Sequence, residues 1–254
     1  MSWRIIPLSV NKASLNMSID SALIDMVSSG RSPPTLRLYR WHPSAVSVGY
    51  FQSVIEEVDV EACRRRGVGI VRRVTGGGAV YHDYEGEITY SIIVPEEYWG
   101  IPKDIAKSYE LLCGGIIRAL NKLGLQAQFK PVNDILVGGR KISGNAQTRR
   151  KGVILQHGTV LLKLNLKDMF TYLKVSREKI SDKLIKSAEE RVTSVAKETG
   201  VEPDFHKISS MIVEGFSEYL DFSYELGGLS DEELELSEKY DEAQFSNEKW
   251  LFRR

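Results

Sequence analysis

Apolar residues along this chain follow two periods, and each predicts a different kind of element. Trp3 to Leu8 reads as a first strand. Ile19, Leu23, Ile24 and Val27 share one helical face, which predicts an amphipathic helix over Met17 to Val27, capped by Asn16 and stopped by Gly30 and Pro33-Pro34. In Thr35 to Arg40, Leu36 and Leu38 alternate with Arg37 and Tyr39, the pattern of a strand with one buried and one polar face. Ala45 to Tyr50 predicts another strand. A short helix with Asp59 as its cap then runs to Gly67. Glu87 to Val94 is apolar at most positions and predicts a strand buried on both faces. Ile105, Tyr109, Leu112, Ile116, Leu120 and Leu123 place a long helix over Lys103 to Leu123. Gly138-Gly139 marks a two-residue hairpin turn between Asp134–Val137 and a strand beginning at Arg140. Val153 to Leu164 is a further strand, and Ile208 to Leu220 a second strong helix. Strands in runs, with helices between and after them, predict an α+β fold with a mixed, mostly antiparallel β-sheet flanked by helices. One main domain over residues 1–228 and a short acidic helical tail over 229–254 are expected, with no internal repeat.

Composition narrows the class. Over 254 residues, Lys plus Arg and Asp plus Glu balance at 34 each, so no global field draws the protein to nucleic acid or to acidic membranes. No apolar run approaches a membrane span, and the N-terminal segment is too interrupted for a signal peptide. The two cysteines, Cys63 and Cys113, both fall in helical patterns and form neither a disulfide framework nor a metal site. A cytoplasmic protein is expected.

Within that balance the bases cluster, and two clusters lie beside glycines. In Ile70–Asp83, Arg72 and Arg73 precede Gly76, Gly77 and Gly78, and His82-Asp83 follows. Three glycines within strand-like sequence are costly unless the backbone must take positive φ or be approached closely. Such a loop can form an anion-binding concavity, with the arginines as fixed donors. A glycine-rich hairpin corner with solvated arginines is the competing reading. The second cluster runs from Asn133 to Arg149 and is followed by Gln156-His157-Gly158-Thr159. Lys141, held in a hairpin near Ser143, Gly144 and Asn145, is the strongest single catalytic candidate. Asp134 is a candidate Mg²⁺ ligand or a turn residue. Gly139 to Gly144 has phosphate-loop spacing, but Asn145-Ala146 stands where Lys-Ser or Lys-Thr is needed. No G-x-G-x-x-G opens a helix, and no G-x-S-x-G occurs.

Taken together, these residues resemble the lipoate–protein ligases. Arg72-Arg73-x-Thr75-Gly76-Gly77-Gly78-Ala79-Val80-x-His82-Asp83 is similar to their signature. Gly139-Arg140-Lys141-Ile142-Ser143-Gly144 and Gln156-His157-Gly158-Thr159 are similar to the second and third. Trp41, Val46, Val48, Gly49 and Gln52 resemble the segment before the first signature, and Asn133-Asp134 the pair before the lysine loop. The resemblance implies the fold shared with biotin–protein ligases. It also implies ATP-dependent activation of lipoate to lipoyl-AMP, with Mg²⁺, followed by transfer to an acceptor lysine. The implied acceptors are the lipoyl domains of 2-oxoacid dehydrogenases and the glycine-cleavage carrier protein. Lys141 would bridge phosphate and acyl carbonyl, and Arg72 would hold phosphate. Thr75, Gly76–Gly78, Ala79, His82, Ser143, Gly144, His157, Gly158 and Thr159 would line the substrate, with Asn133 and Asp134 on the Mg²⁺–pyrophosphate side.

The stretch after the last strong helix is too short for the accessory domain that many of these ligases carry. The expectation is therefore the catalytic half of a split ligase, with a separate accessory subunit. The alternative is an octanoyltransferase of the same fold, which takes its acyl group from acyl carrier protein through a cysteine lying shortly before the lysine loop. Gln126 to Val132 contains no cysteine, which weighs against it. A biotin–protein ligase would show a GRGRxGR-like loop, which is absent, and a non-catalytic lipoyl-binding module would leave Lys141 without a purpose.

Overall fold

The computed structural model describes residues 2–98, 100–174 and 182–253. In chain order the elements are β1 (Trp3–Asn11), α1 (Ala13–Ser28), β2 (Thr35–Trp41), β3 (Ala45–Val48), α2 (Val54–Glu57), α3 (Val60–Arg66), β4 (Gly69–Arg72), β5 (Val80–His82), β6 (Glu87–Pro95) and α4 (Ile105–Lys122). There follow β7 (Ala127–Lys130), β8 (Asp134–Val137), β9 (Arg140–Arg150), β10 (Val153–Leu161), α5 (Leu166–Tyr172), α6 (Asp182–Glu189), α7 (Val195–Thr199), α8 (Phe205–Leu220), β11 (Tyr224–Leu226), α9 (Asp231–Tyr240), a π-helical turn (Asp241–Phe245) and α10 (Glu248–Leu251).

Eight strands form one sheet in the order β11-β1-β2-β6-β10-β9-β8-β7, parallel only at β11-β1 and β1-β2. A second sheet, β4-β3-β5, pairs β3 with β4 in parallel and with β5 antiparallel. The expected α+β fold with a mixed, mostly antiparallel sheet is the fold observed. On one face of the large sheet α4 and α8 pack together; Leu112, Ile116 and Phe216 are buried there with Ile92 and Ile154 of the sheet. On the other face α1 packs Leu23 and Val27 among Tyr39, Ile93 and Leu155, and α9 packs against α1 in turn.

Coverage on both faces explains two departures from the periodicity. In β2 the positions expected to be polar, Arg37 and Tyr39, are buried beneath α1. Arg37 is neutralised there by Asp20 of α1, Nη1 to Oδ1 at 2.9 Å. Asn16 is not a cap: α1 begins three residues earlier, and Asn16 lies buried inside it, donating to the Arg40 carbonyl at 3.1 Å. Asp59 does cap α3, accepting from the Ala62 N–H, and β6 is buried on both faces as its sequence predicts. Residues 229–253 close over β4 and α1. Glu233 is buried against Arg4 at 2.6 Å, and α10 sits on Arg72.

Candidate active site

The two sheets meet around a cavity of about 340 Å³, in the range of small-ligand sites. Its apolar surface comes from Met17, Trp41, Val80, Leu161, Met169 and Leu173. Its polar lining converges from two sides, the glycine loop between β4 and β5 and the hairpin β8-β9 with β10.

On the glycine side, Arg73 is the organising residue. It is 5% exposed, and its guanidinium spends every donor on the protein. Nη2 donates to the carbonyls of Gly76 (2.8 Å) and Gly78 (2.7 Å), Nη1 to Ser47 O and Oγ (both 3.1 Å), and Nε to Thr75 Oγ1 (3.1 Å). Burial lowers the Arg73 pKa to about 10, which still leaves the side chain charged at neutral pH. The loop folds tightly because of these bonds and because of Gly49 in the neighbouring chain. A Cβ on Gly49 would stand 2.0 Å from the Gly77 carbonyl oxygen. Of the three glycines only Gly77 has positive φ (+92°), so the sequence expectation holds there alone.

Arg72 corrects the expectation of a phosphate ligand. Strand alternation turns it to the opposite side from Arg73, where it is fully buried. Its guanidinium donates to the carbonyls of Gly49, Tyr50, Gln52, Trp250, Leu251 and Arg253, and Trp250 Nε1 returns a bond to the Arg72 carbonyl at 2.9 Å. No donor remains for a ligand. Arg72 ties the C-terminal segment to the body.

On the hairpin side, Lys141 reaches the cavity through a register shift. β8 and β9 pair as Ile135 with Ser143 and then Leu136 with Lys141, so Ile142 is an extra residue. In a regular strand Lys141 and Gly144 would face opposite ways; the bulge puts them on one face. The Lys141 side chain then lies across Gly144, where a Cβ would come within 2.7 Å of Cε. Lys141 Nζ meets Asp134 Oδ1 at 2.7 Å, with the two side chains 40% and 31% exposed. Its main chain is clamped by the segment after α6: its N–H donates to Arg191 and its carbonyl accepts from Thr193, both at 2.8 Å. Asn133 is fixed by Asn145, whose N–H and Nδ2 both donate to the Asn133 carbonyl. Asn145 Oδ1 in turn accepts from Tyr90 at 2.6 Å.

Of the residues expected to hold substrate, Lys141, Gly77, Gly78, Ala79, His82, Asn133, Gly144, His157, Gly158 and Thr159 line the cavity. Thr75, Gly76 and Ser143 do not. Thr75 and Ser143 are fully buried, Thr75 against Arg73 and His157. Asp134 acts on Lys141. Its carboxylate pairs with the Lys141 ammonium, and among the described residues no group of three His, Cys, Asp or Glu stands ready to hold a metal ion, so nothing in the structure supports the expected Mg²⁺. Sequence reading gave Asn145 no role of its own and missed Asp20. The Ser143–Asn145 polarity pointed toward the first. Nothing local marked the second, which meets His157 from 137 positions away.

No thiol reaches the cavity. Cys63 and Cys113 are fully buried in the α3 and α4 packing, and burial pushes their pKa values up to about 11 and about 12.

The chain matches the lipoyl protein ligase A/B catalytic domain over residues 12–217. It is 37% identical to octanoyltransferase LipM of Kyrpidia tusciae, with 100% of this chain and 99% of the relative covered. Other curated relatives, down to 30% identity, carry the same name. Among solved structures, a bi-partite lipoate protein ligase of Thermoplasma acidophilum, described with its E2 lipoyl domain, superposes with TM-score 0.88 at 29% identity, covering 99% of this chain and 96% of the other. A lipoate-protein ligase A bound with ATP superposes with TM-score 0.85 at 28% identity, covering 99% of each chain. The full-length likeness to octanoyltransferases corrects the expected ATP-dependent ligase: the motifs that suggested lipoyl-AMP chemistry also occur in a chain whose curated relatives are named for acyl transfer. ATP is bound by the lipoate-protein ligase A neighbour, and the likeness to octanoyltransferases does not carry ATP, Mg²⁺ or lipoyl-AMP over to this chain.

Proposed function

The chain belongs to the lipoyl protein ligase A/B catalytic-domain family, and within it we propose an octanoyltransferase that passes an octanoyl group from a thioester of acyl carrier protein to a lysine of a lipoyl-acceptor domain. The observation that carries this reading is the end-to-end likeness to octanoyltransferases at up to 37% identity. The cavity supports it chemically, because an aliphatic chain can bury itself among Met17, Trp41, Val80, Leu161 and Leu173 while its carbonyl stays near Lys141.

Lys141 supplies the cation for the reaction. When the thioester carbonyl carbon is attacked, negative charge builds on its oxygen, and the ammonium stabilises it from a fixed backbone position. Asp134 holds the ammonium until the acyl group arrives. With both cysteines buried and their thiols held protonated, the reading assigns the attack to the acceptor lysine itself. Its amine nitrogen bonds to the carbonyl carbon, the carbon–sulfur bond breaks, and the amine proton leaves with the departing thiolate to give a thiol. This departs from the cysteine route that the octanoyltransferase resemblance implies.

The test is a donor comparison. Purified protein and an acceptor lipoyl domain are incubated with octanoyl acyl carrier protein without nucleotide, or with free octanoate and ATP, and the acceptor is read by mass. Octanoylation from the thioester alone is expected. Octanoylation only from free acid with ATP would overturn the reading.

A further inference from the structure

Two buried carboxylates, Asp20 and Glu87, take no part in the chemistry above, yet each stands at the end of a hydrogen-bonded chain that begins on Arg73. In the first chain Arg73 Nε donates to Thr75 Oγ1 (3.1 Å), Thr75 meets His157 Nε2 (2.7 Å), and His157 Nδ1 meets Asp20 Oδ2 (3.3 Å). In the second, Arg73 Nη1 donates to Ser47 Oγ (3.1 Å), Ser47 meets His82 Nε2 (2.8 Å), and His82 Nδ1 meets Glu87 Oε1 (2.6 Å). The order is the same in both: arginine, hydroxyl, imidazole, carboxylate. All seven of these residues are at most 6% exposed. They come from α1, β3, β5, β6, β10 and the chain after β4, so only the finished fold brings them together.

One donor direction satisfies every member. Each hydroxyl accepts from Arg73 and donates to Nε2 of a neutral imidazole, whose Nδ1–H donates to the carboxylate. His157 fits this state: burial holds its pKa below the ordinary imidazole value despite the Asp20 bond. Charge also closes. Arg37 and Arg73 balance Asp20 and Glu87 within the buried set, so no ion is left uncompensated. A fully satisfied buried network of this kind rigidifies what it holds. What it holds is the pair of Arg73 Nη2 bonds to the Gly76 and Gly78 carbonyls, which shape one wall of the cavity.

We infer that Asp20 and Glu87 are positioning residues, acting through His157–Thr75 and His82–Ser47 to orient Arg73 and so fix the glycine loop in its substrate-binding shape. The inference deepens the acyl-transfer reading but does not need it for its test, because the loop's rigidity is measurable without a substrate.

The test cuts one chain at its hydroxyl and leaves both carboxylates and Arg37 in place. Thr75→Val keeps the volume of the side chain and removes the relay; Thr75→Ser keeps the relay and loses a methyl. Amide hydrogen exchange at residues 76–79 is measured in the full chain, beside kcat/KM for octanoyl transfer. Thr75→Val is expected to speed exchange at these amides about tenfold and to lower kcat/KM by a similar factor, with Thr75→Ser close to wild type. Unchanged loop exchange in Thr75→Val, or equal perturbation by Val and Ser, would overturn the inference, the second because it would show packing alone. If the wild-type protein fails to transfer from a thioester, the functional reading falls while the exchange comparison still decides the relay.

Discussion

The two polar walls of the cavity are built on opposite principles. The glycine wall is locked. Arg73, Thr75, His157, Ser47 and His82 are all buried, and each meets defined partners inside the protein. The lysine wall is poised. The Lys141 main chain is clamped by Arg191 and Thr193, but its side chain is 40% exposed and tied by one ion pair to Asp134. A half-exposed pair is worth little, roughly 0–1 kcal/mol, so an incoming carbonyl can draw the ammonium away at small cost. On the proposed function the contrast separates two tasks: one wall would shape the site and the other would respond to the charge that develops there.

The largest effect is expected from removing the lysine side chain. Lys141→Ala should lower kcat/KM by about 10²–10³, the scale of one lost charge-stabilising donor. Because the side chain is partly exposed, Tm should stay near wild type, and a large drop in Tm would show that the lysine wall is structural too. Arg72→Met asks the reverse question of a locked arginine. It strips the buried carbonyl of Gly49 and the partly buried carbonyls of Leu251 and Arg253 of their donor, so stability should fall by about 2–3 kcal/mol in denaturant titration. Any surviving folded protein should still turn over.

Gly49→Ala probes the locked wall by steric pressure alone. Its Cβ would press on the Gly77 carbonyl, so a cost of about 1–3 kcal/mol and a raised KM for the acyl donor are expected. A smaller effect belongs to pH. His157 is held neutral beside Asp20, Arg73 and His82, with its folded pKa below the unfolded value of about 6.5. In the window between those values the unfolded chain binds more protons, so stability should fall as pH drops from about 6.5, and His157→Gln should flatten that slope. The smallest effect is expected from Cys63→Ala and Cys113→Ala, which should leave the rate of acyl transfer within about twofold of wild type.

The sequence and the fold agree where neighbours along the chain decide the structure. The Gly138-Gly139 hairpin, the buried β6 strand and the Asp59 cap were all legible, because turn chemistry, periodicity and capping act over a few residues. Arg72 and Arg73 show where legibility stops. Both are adjacent to the glycine loop and identical in chemistry. Which one faces the loop depends on the side β4 presents to β3, which the strand's own residues do not state. Asp20 was invisible for the same reason, since its partner is on β10. The function was misread for another reason. The glycine and lysine motifs stand in a chain that resembles both lipoate ligases and octanoyltransferases, so they do not choose between the two.

The proposed octanoyl transfer to an acceptor lysine would proceed without a thiol in the cavity. The most direct test is intact mass of the protein after mixing with octanoyl acyl carrier protein, first without and then with an acceptor lipoyl domain, in the absence of ATP. Unmodified enzyme throughout, with octanoylated acceptor appearing on its addition, is the predicted result. An octanoyl adduct on Cys63 or Cys113 that is consumed when the acceptor is added would contradict it.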